Sequence, residues 1–178
     1  MTIRLAEREL ATRFGVFREI LFYDGNSESI ALVMGDVSGR EGVQCRIHSA
    51  CIGGHVFNSV ECECAAEMAA AQRIIQNQGT GVIIYLDQEG KGNGHLALMK
   101  SARFKKAGNS QGEAYLLAGY SADARSYRSA SDILKELGVA SVVLLTGNAS
   151  KADELKQLGV RVAGTAPLIK EDGNDLLG

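Results

Sequence analysis

Apolar and polar positions alternate differently along the two parts of this chain. In the first part, short runs rich in branched residues, SIALVMGDV from Ser29 and VQCRIHS from Val43, are separated by the turn-forming clusters DGNSES and SGREG. This pattern predicts antiparallel strands. Farther on, CAAEMAAAQRIIQNQG, starting at Cys64, is alanine-rich with apolar residues at helical spacing, and GVIIYL from Gly81 is the unbroken apolar run of a buried strand. SADARSYRSASDILKELG reads as a further helix with Ser121 or Asp123 near its N-terminus and Gly138 as its stop. VASVVLLT then reads as a buried strand, and SKADELKQLG with VRVAG repeats the helix-then-strand order across Gly159. Together these elements predict an α/β fold of three layers, α/β/α, around a mixed sheet with antiparallel strands in its N-terminal part. The closing KEDGNDLLG has little to pack, so a single domain over 1–170 with a loose tail over 171–178 is expected.

Composition narrows the function classes. With 178 residues, 46% of them hydrophobic, the chain buries one core and needs no second domain. Lys and Arg total 19 against 21 Asp and Glu, so the net charge of -2 gives no electrostatic footprint for a nucleic-acid polymer or an anionic membrane. A small anion held by a few local groups is compatible with that balance. MTIRLAEREL lacks the apolar core of a signal peptide, and no later apolar run is long enough to cross a bilayer. A cytoplasmic protein is therefore expected, where thiols stay reduced. Its four cysteines point there to a metal or to catalysis rather than to disulfides.

Three of those cysteines fall in HSACIGGHVFNSVECECAAE, from His48 to Glu67. Cys62 and Cys64 flank one residue, so in an extended segment their side chains share a face, and Cys51 returns to it through the Gly53-Gly54 turn. Structural zinc normally takes four protein ligands, whereas three leave a position for water or substrate. Cys45, His48 or His55 could close the set as a fourth ligand, and buried, metal-free cysteines are the plainer alternative.

Next, YLDQEGKGNGHL follows the buried strand, at the end where open α/β sheets bind ligands. Gly90, Gly92 and Gly94 leave amides accessible to an anion and Lys91 adds charge, which suits a phosphate-bearing ligand, though such a loop is often only a turn. Glu89 either accepts hydrogen bonds from a base or is a solvated turn carboxylate. Asp123 and Arg125 by themselves read as a helix cap and a surface charge. Thr146, Asn148 and Lys151 end the second buried strand in LLTGNASK, another place for phosphate contacts or simply a polar loop.

In this order the pieces resemble the GTP cyclohydrolase II family, the zinc enzymes at the entry to riboflavin synthesis, over about Ile3 to Leu168. Arg46, His48, Ser49 and Cys51 match the family form R-x-H-S-x-C; Cys62 and Cys64 match its C-x-C, and Gln88, Glu89 and Gly90 its QEG. Asp123 and Arg125 match its aspartate two residues before an arginine, and Thr146 and Lys151 its loop threonine and lysine. The resemblance implies a homodimeric hydrolase acting on a cyclic amidine C–N bond. By that resemblance Cys51, Cys62 and Cys64 would hold a Zn²⁺ that supplies the water adding at C8 of GTP, with formate released and pyrophosphate leaving a triphosphate accompanied by Mg²⁺. It further implies that Arg46, His48, Ser49, Glu67, Glu89, Gly90, Lys91, Gln111, Thr146 and Lys151 contact the nucleotide. Arg125 would act at the α-phosphate as nucleophile, with Asp123 as its proton acceptor. An arginine's high pKa makes charge stabilisation of phosphoryl transfer an equally good role.

The sequence also departs from the family. The catalytic tyrosine falls at Ala102, which has no proton to give, and losing a general acid costs about 10²–10⁴ in rate. A glutamate before the first cysteine is Ala50, the arginine after QEG is Lys91, the one before it is Asp87, a contacting threonine is Gln111, and the aspartate after TG is His55. So many changes around an intact cysteine triad argue for a divergent paralogue. Three readings follow: the full reaction, with Tyr85 or a water replacing the tyrosine; ring opening that retains the formyl group, or action on another nucleotide in a specialised pathway; and a non-catalytic zinc protein that binds a nucleotide or a partner. The retained cysteines with Asp123 and Arg125 speak against the last, and metal-dependent hydrolysis of a nucleotide ring ranks first.

Overall fold

Alternation sorts the side chains of the first strands between two faces. In the computed structural model, which describes residues 1–168, β1 (Ile3–Thr12), β2 (Gly15–Tyr23) and β3 (Glu28–Met34) form an antiparallel meander. Ile20 and Phe22 of β2 and Ala31 and Val33 of β3 enter one core, while Phe17, Leu32 and Met34 enter another on the opposite face. This is the period of two that pleated backbone imposes.

β4 (Val43–Ser49), β5 (Gly81–Leu86), β6 (Val142–Leu145) and β7 (Val162–Ala166) complete a seven-stranded sheet in the order β1-β2-β3-β5-β4-β6-β7. The antiparallel expectation holds for β1 to β3, and β3 also meets β5 antiparallel. β4 differs: it pairs in parallel with both β5 and β6. The chain between β4 and β5 runs through α1 (Ile52–His55) and α2 (Cys64–Gln78), and a crossover of that length returns it to start β5 in the same direction.

Two helical layers cover the sheet. The small face of α2, Ala69, Ala71 and Ile75, packs on Phe17, Ile83 and Leu145. On the other face α5 (Arg128–Glu136) and α6 (Ala149–Gln157) bury Ala130, Ile133, Leu134, Ala152 and Leu155 against Cys45, Ile47, Val82, Ile84 and Leu144. The mixed, three-layer α/β architecture expected from the sequence is therefore the one observed. Helix α5 begins later than its pattern indicates, at Arg128. Asp123 accepts the Arg125 backbone N–H at 3.1 Å, and the Ala124 N–H goes to the Lys91 carbonyl at 2.9 Å, so this segment spends its donors on a turn and a tertiary contact. Gly138 lies just beyond the end of α5, as expected of a stop, with φ +69.

Between β5 and α5 lie α3 (His95–Lys106) and α4 (Gln111–Leu117), which pack on each other. The sequence signal for α4 is a capping box: Ser110 accepts from the Glu113 backbone and the Glu113 side chain accepts from the Ser110 backbone. Among the described residues no helix is long and apolar enough to cross a membrane. The tail over 171–178 lies outside the described residues.

Neighbouring positions on β2 test this sorting. Phe17 is 0% exposed and Val16 55%. Phe17→Ala is expected to lower unfolding free energy by about 3–5 kcal/mol, and Val16→Ala to change it by less than about 0.5 kcal/mol, read from urea denaturation. Similar losses at both positions would mean that the strand register is wrong.

Candidate active site

The parallel strands β4 and β5 end together, and a hydrogen bond from the Ala50 N–H to the Leu86 carbonyl, 2.8 Å, holds their exits side by side. From the end of β4 the chain enters α1, with Cys51 as its N-cap accepting from the Gly54 N–H at 3.4 Å. Cys64 is the first residue of α2 and Cys62 lies just before it. The Sγ atoms of Cys51, Cys62 and Cys64 all lie within 4.8 Å of one another, Cys51 and Cys62 at 3.5 Å. An extended Cys62-Cys64 segment is not what brings them together: Glu63 has φ -104 and ψ 13, and the pair converges as the chain turns into the helix. Gly54 leaves room for the sulfurs, because a Cβ there would stand 2.9 Å from Cys62 Sγ and 3.4 Å from Cys51 Sγ.

This donor set fits zinc. A tetrahedral zinc–thiolate centre has bonds of about 2.3 Å, hence sulfur–sulfur edges of about 3.8 Å. Burial raises the pKa of the Cys51 and Cys64 thiols, and at Cys64 the neighbouring thiols raise it further. Three sulfurs so close become thiolates together only with a cation between them. None of the expected fourth ligands joins the set. Cys45 is fully buried in the core on the opposite face, where burial pushes its thiol up to about 12. His48 and His55 instead face each other, Nε2 to Nε2 at 3.1 Å. Among the described residues these three cysteines are the one group of three or more such side chains placed to hold a metal.

Glu89 ties the cysteine turn to the glycine loop. One carboxylate oxygen accepts the Ile52 N–H at 2.7 Å and the other the Gly90 N–H at 2.9 Å. The loop is in turn closed against the segment carrying Asp123 and Arg125. Gly92, at φ +80, sits where a Cβ would be 2.7 Å from the Ala124 carbonyl and 2.9 Å from the Arg125 nitrogen. Arg125 reaches back to Asp123 through two charge-assisted bonds, Nε to Oδ1 at 2.9 Å and Nη2 to Oδ2 at 2.5 Å. Partial burial works against ionised Asp123, but the Arg125 hydrogen bonds outweigh it and hold the carboxyl below its usual range. The same hydrogen bonds raise the pKa of Arg125, so the guanidinium keeps its charge.

Two cavities meet at Arg125. The larger, about 530 Å³, is lined by the three cysteines together with Ser49, Glu89, Gly90, Lys91, Gln111 and Arg125. The hydroxyl of Ser49 is buried there with no protein partner. The smaller, about 440 Å³, is lined by Arg46, Glu67, Arg125, Thr146, Asn148 and Lys151. Arg46 binds the Leu145 carbonyl at 3.0 Å and Glu67 at 2.7 Å. Lys151 is buried, donates to the Ile47 carbonyl at 2.9 Å, and is lowered to about 8 by burial and then by Arg46 and Arg125.

His48 lines neither cavity. It is buried, 3.5 Å from Arg46, and burial, reinforced by that cation, drives its pKa down to about 3, so its ring is neutral. Tyr85 stacks on His48 with centroids 6.3 Å apart and is likewise absent from the lining of the cysteine cavity. Ala102 of α3 does line that cavity, and so does Tyr115 of α4, a residue with no sequence signal beyond being an aromatic in a short helix.

The family model for GTP cyclohydrolase II matches residues 3–167. A GTP cyclohydrolase-2 from Actinobacillus succinogenes is 38% identical over 167 residues, covering 93% of this chain and 77% of that protein. One from Streptomyces coelicolor is 40% identical over 169 residues, covering 93% and 76%. Among solved structures, a two-domain 3,4-dihydroxy-2-butanone 4-phosphate synthase from A. baumannii shares the fold at a TM-score of 0.54 and 17% identity; the match covers 93% of this chain and 40% of that longer one. With the family model spanning nearly the whole sequence and the cysteines, glycine loop and Asp123–Arg125 pair gathered at one sheet edge, this chain belongs to the GTP cyclohydrolase II family.

Proposed function

We propose that this chain is a zinc-dependent nucleotide cyclohydrolase that opens the imidazole ring of GTP at C8 and releases formate and pyrophosphate. The observation that carries this reading is the union, in one cavity, of a three-thiol ligand set with a guanidinium that also lines a second, cationic cavity. A nucleotide has the matching layout, a base at one end and phosphates at the other.

Cys51, Cys62 and Cys64 would hold the zinc. Bound there, it would supply hydroxide near neutral pH and polarise the carbonyl formed from C8. Glu89 holds the cysteine turn and the glycine loop at a fixed separation, so the ring meets a preorganised wall. Arg125 carries the charge that offsets the phosphoryl group in its transition state, and Asp123 keeps that guanidinium charged and aimed. This favours a charge-stabilising role for Arg125 over a nucleophilic one, since attack would require a neutral guanidine. Lys151, Arg46 and Thr146 line the second cavity and would contact the remainder of the nucleotide. Mg²⁺ belongs with the triphosphate in this reading. Cytoplasmic residence and a homodimer complete it, with exposed Ile3 and Leu5 at the start of β1 offering apolar contacts to a second copy.

Ala102 favours a second reading. Where the family carries a tyrosine this wall of the cavity has only a methyl group, which fits ring opening with the formyl group retained, or another nucleotide as substrate.

A mass-resolved product assay of zinc-loaded protein with GTP and Mg²⁺, run beside other purine and pyrimidine nucleotides, separates these readings. Formate and pyrophosphate from GTP are the expected result. A ring-opened product still carrying formyl supports the second reading. Silence with every nucleotide despite bound zinc refutes both.

Cys62→Ser is expected to weaken zinc affinity more than about 100-fold, beyond what loss of an outer hydrogen-bond partner costs, and to abolish ring opening with it. Metal analysis and the product assay check this together; full activity without zinc would contradict the mechanism. Lys151 gives a pH signature. Its folded pKa of about 8 lies below the ordinary lysine value, so its positive charge is present below pH 8 and is lost as pH rises through that value. Nucleotide affinity measured by calorimetry from neutral to alkaline pH is expected to weaken across this window in the wild type, and Lys151→Met is expected to remove that component.

A further inference from the structure

We infer that Tyr115 is a catalytic residue of the cysteine cavity, the phenol that hands a proton to the ring nitrogen as its bond to carbon breaks. This rests on the cyclohydrolase reading proposed above. Tyr115 stands on α4, only 1% exposed, yet it lines the cavity that holds the three cysteines and Arg125. Its hydroxyl end rests against the glycine loop: a Cβ on Gly90 would lie 3.3 Å from the Tyr115 oxygen. Gly90 adjoins Glu89, whose carboxylate is bonded to the residue after Cys51, so the phenol is anchored within the framework that positions the metal ligands. Ala102 is on α3, which packs against α4, and lines the same cavity. Its small side chain leaves that wall to a group from the next helix.

Of the other polar groups of the lining, Glu89 and Arg125 are poorly suited to give a proton. Glu89 has both oxygens occupied by backbone N–H groups, and Arg125 is held charged by Asp123. His95 sits at the rim with its side chain 45% exposed, 4.0 Å from Glu89. Tyr115 is the one tyrosine among the lining residues. Burial, with Glu89, Asp123 and Cys51 adding to it, pushes the phenol up to about 12, so it carries its proton at neutral pH.

The step balances without an added reactant. Water adds its oxygen to the ring carbon and a hydrogen to the adjoining nitrogen, giving a carbinol. When the carbinol collapses, the bond from that carbon to the other ring nitrogen breaks with its electron pair on nitrogen, and the Tyr115 proton goes to that nitrogen. The phenolate takes the proton leaving the carbinol hydroxyl as its C=O bond forms, and Tyr115 is restored.

The test compares zinc-loaded wild type, Tyr115→Phe, and Tyr115→Phe combined with Ala102→Tyr, in the GTP product assay with calorimetry of a non-hydrolysable GTP analogue. Phenylalanine keeps the ring that fills the core and removes only the hydroxyl. Tyr115→Phe is expected to lower the ring-opening rate by about 10²–10⁴ while zinc content, melting temperature and analogue affinity stay near wild type. Adding Ala102→Tyr is expected to recover at least about tenfold of that rate by returning a phenol to the same cavity. An unchanged rate in Tyr115→Phe, with the wild type active, overturns the role of Tyr115 and leaves the cyclohydrolase reading intact. A loss of rate that tracks loss of zinc or of thermal stability also overturns it, since the hydroxyl would then be structural. Wild-type protein that binds zinc but opens no ring overturns the cyclohydrolase reading itself, and the inference with it.

Discussion

Parallel pairing of β4 with β5 is the constraint from which the site follows. Parallel neighbours must be joined by a crossover, and here the crossover carries Cys51, Cys62 and Cys64, with Cys64 opening α2. The same pairing brings the two strand exits to one edge of the sheet, so the cysteine turn leaving β4 and the glycine loop leaving β5 are neighbours. Glu89 spans the gap between them with one hydrogen bond to each side. An antiparallel β4 would send these loops to opposite edges, and the same residues would have no common cavity.

Around this edge the structure accepts polar burial that its cores avoid. Arg46 Nε, Ser49 Oγ, His55 Nδ1 and Gln88 Oε1 are all buried without a protein hydrogen-bond partner. An unsatisfied buried polar atom costs about 1–3 kcal/mol, and three of these residues line cavities, Ser49 and Gln88 the larger and Arg46 the smaller. The opposite face of the sheet balances this with an extensive apolar layer, from Ile20 and Phe22 on β2 to Ile133 and Leu134 on α5. Cys45 and Arg46, adjacent on β4, show the division at its sharpest: one side chain enters that dry core and the other lines a cationic cavity.

Much of this was legible in the sequence because it is written in local pattern. The alanine-rich helix, the GVIIYL strand and the repeated helix–strand order require only periodicity, and they appear as α2, β5 and α5 to β7. The direction of β4 was not legible, since VQCRIHS is compatible with either pairing and long-range topology decides it. The start of α5 was misplaced because Asp123 and Arg125 look like a helix entrance, whereas their donors and acceptors serve a turn. At the site, the cysteine spacing pointed to three sulfurs that do converge, but the assumed extended geometry was wrong. Motif matching put His48 with the nucleotide contacts, and the structure buries it beside Arg46, which lines the smaller cavity. Tyr115 lay beyond reach because its importance comes from how α4 docks, which no local pattern encodes.

Arg125 lines both cavities, and this has a consequence for turnover. A ligand that occupies both is gripped as one connected object, and its two ends reinforce each other by raising each other's local concentration. In the proposed reaction formate and pyrophosphate depart, while the opened base, the ribose and the α-phosphate remain one molecule. Cleavage therefore removes only the contacts that the departing phosphates supplied, and the rest of the product is still held from both ends.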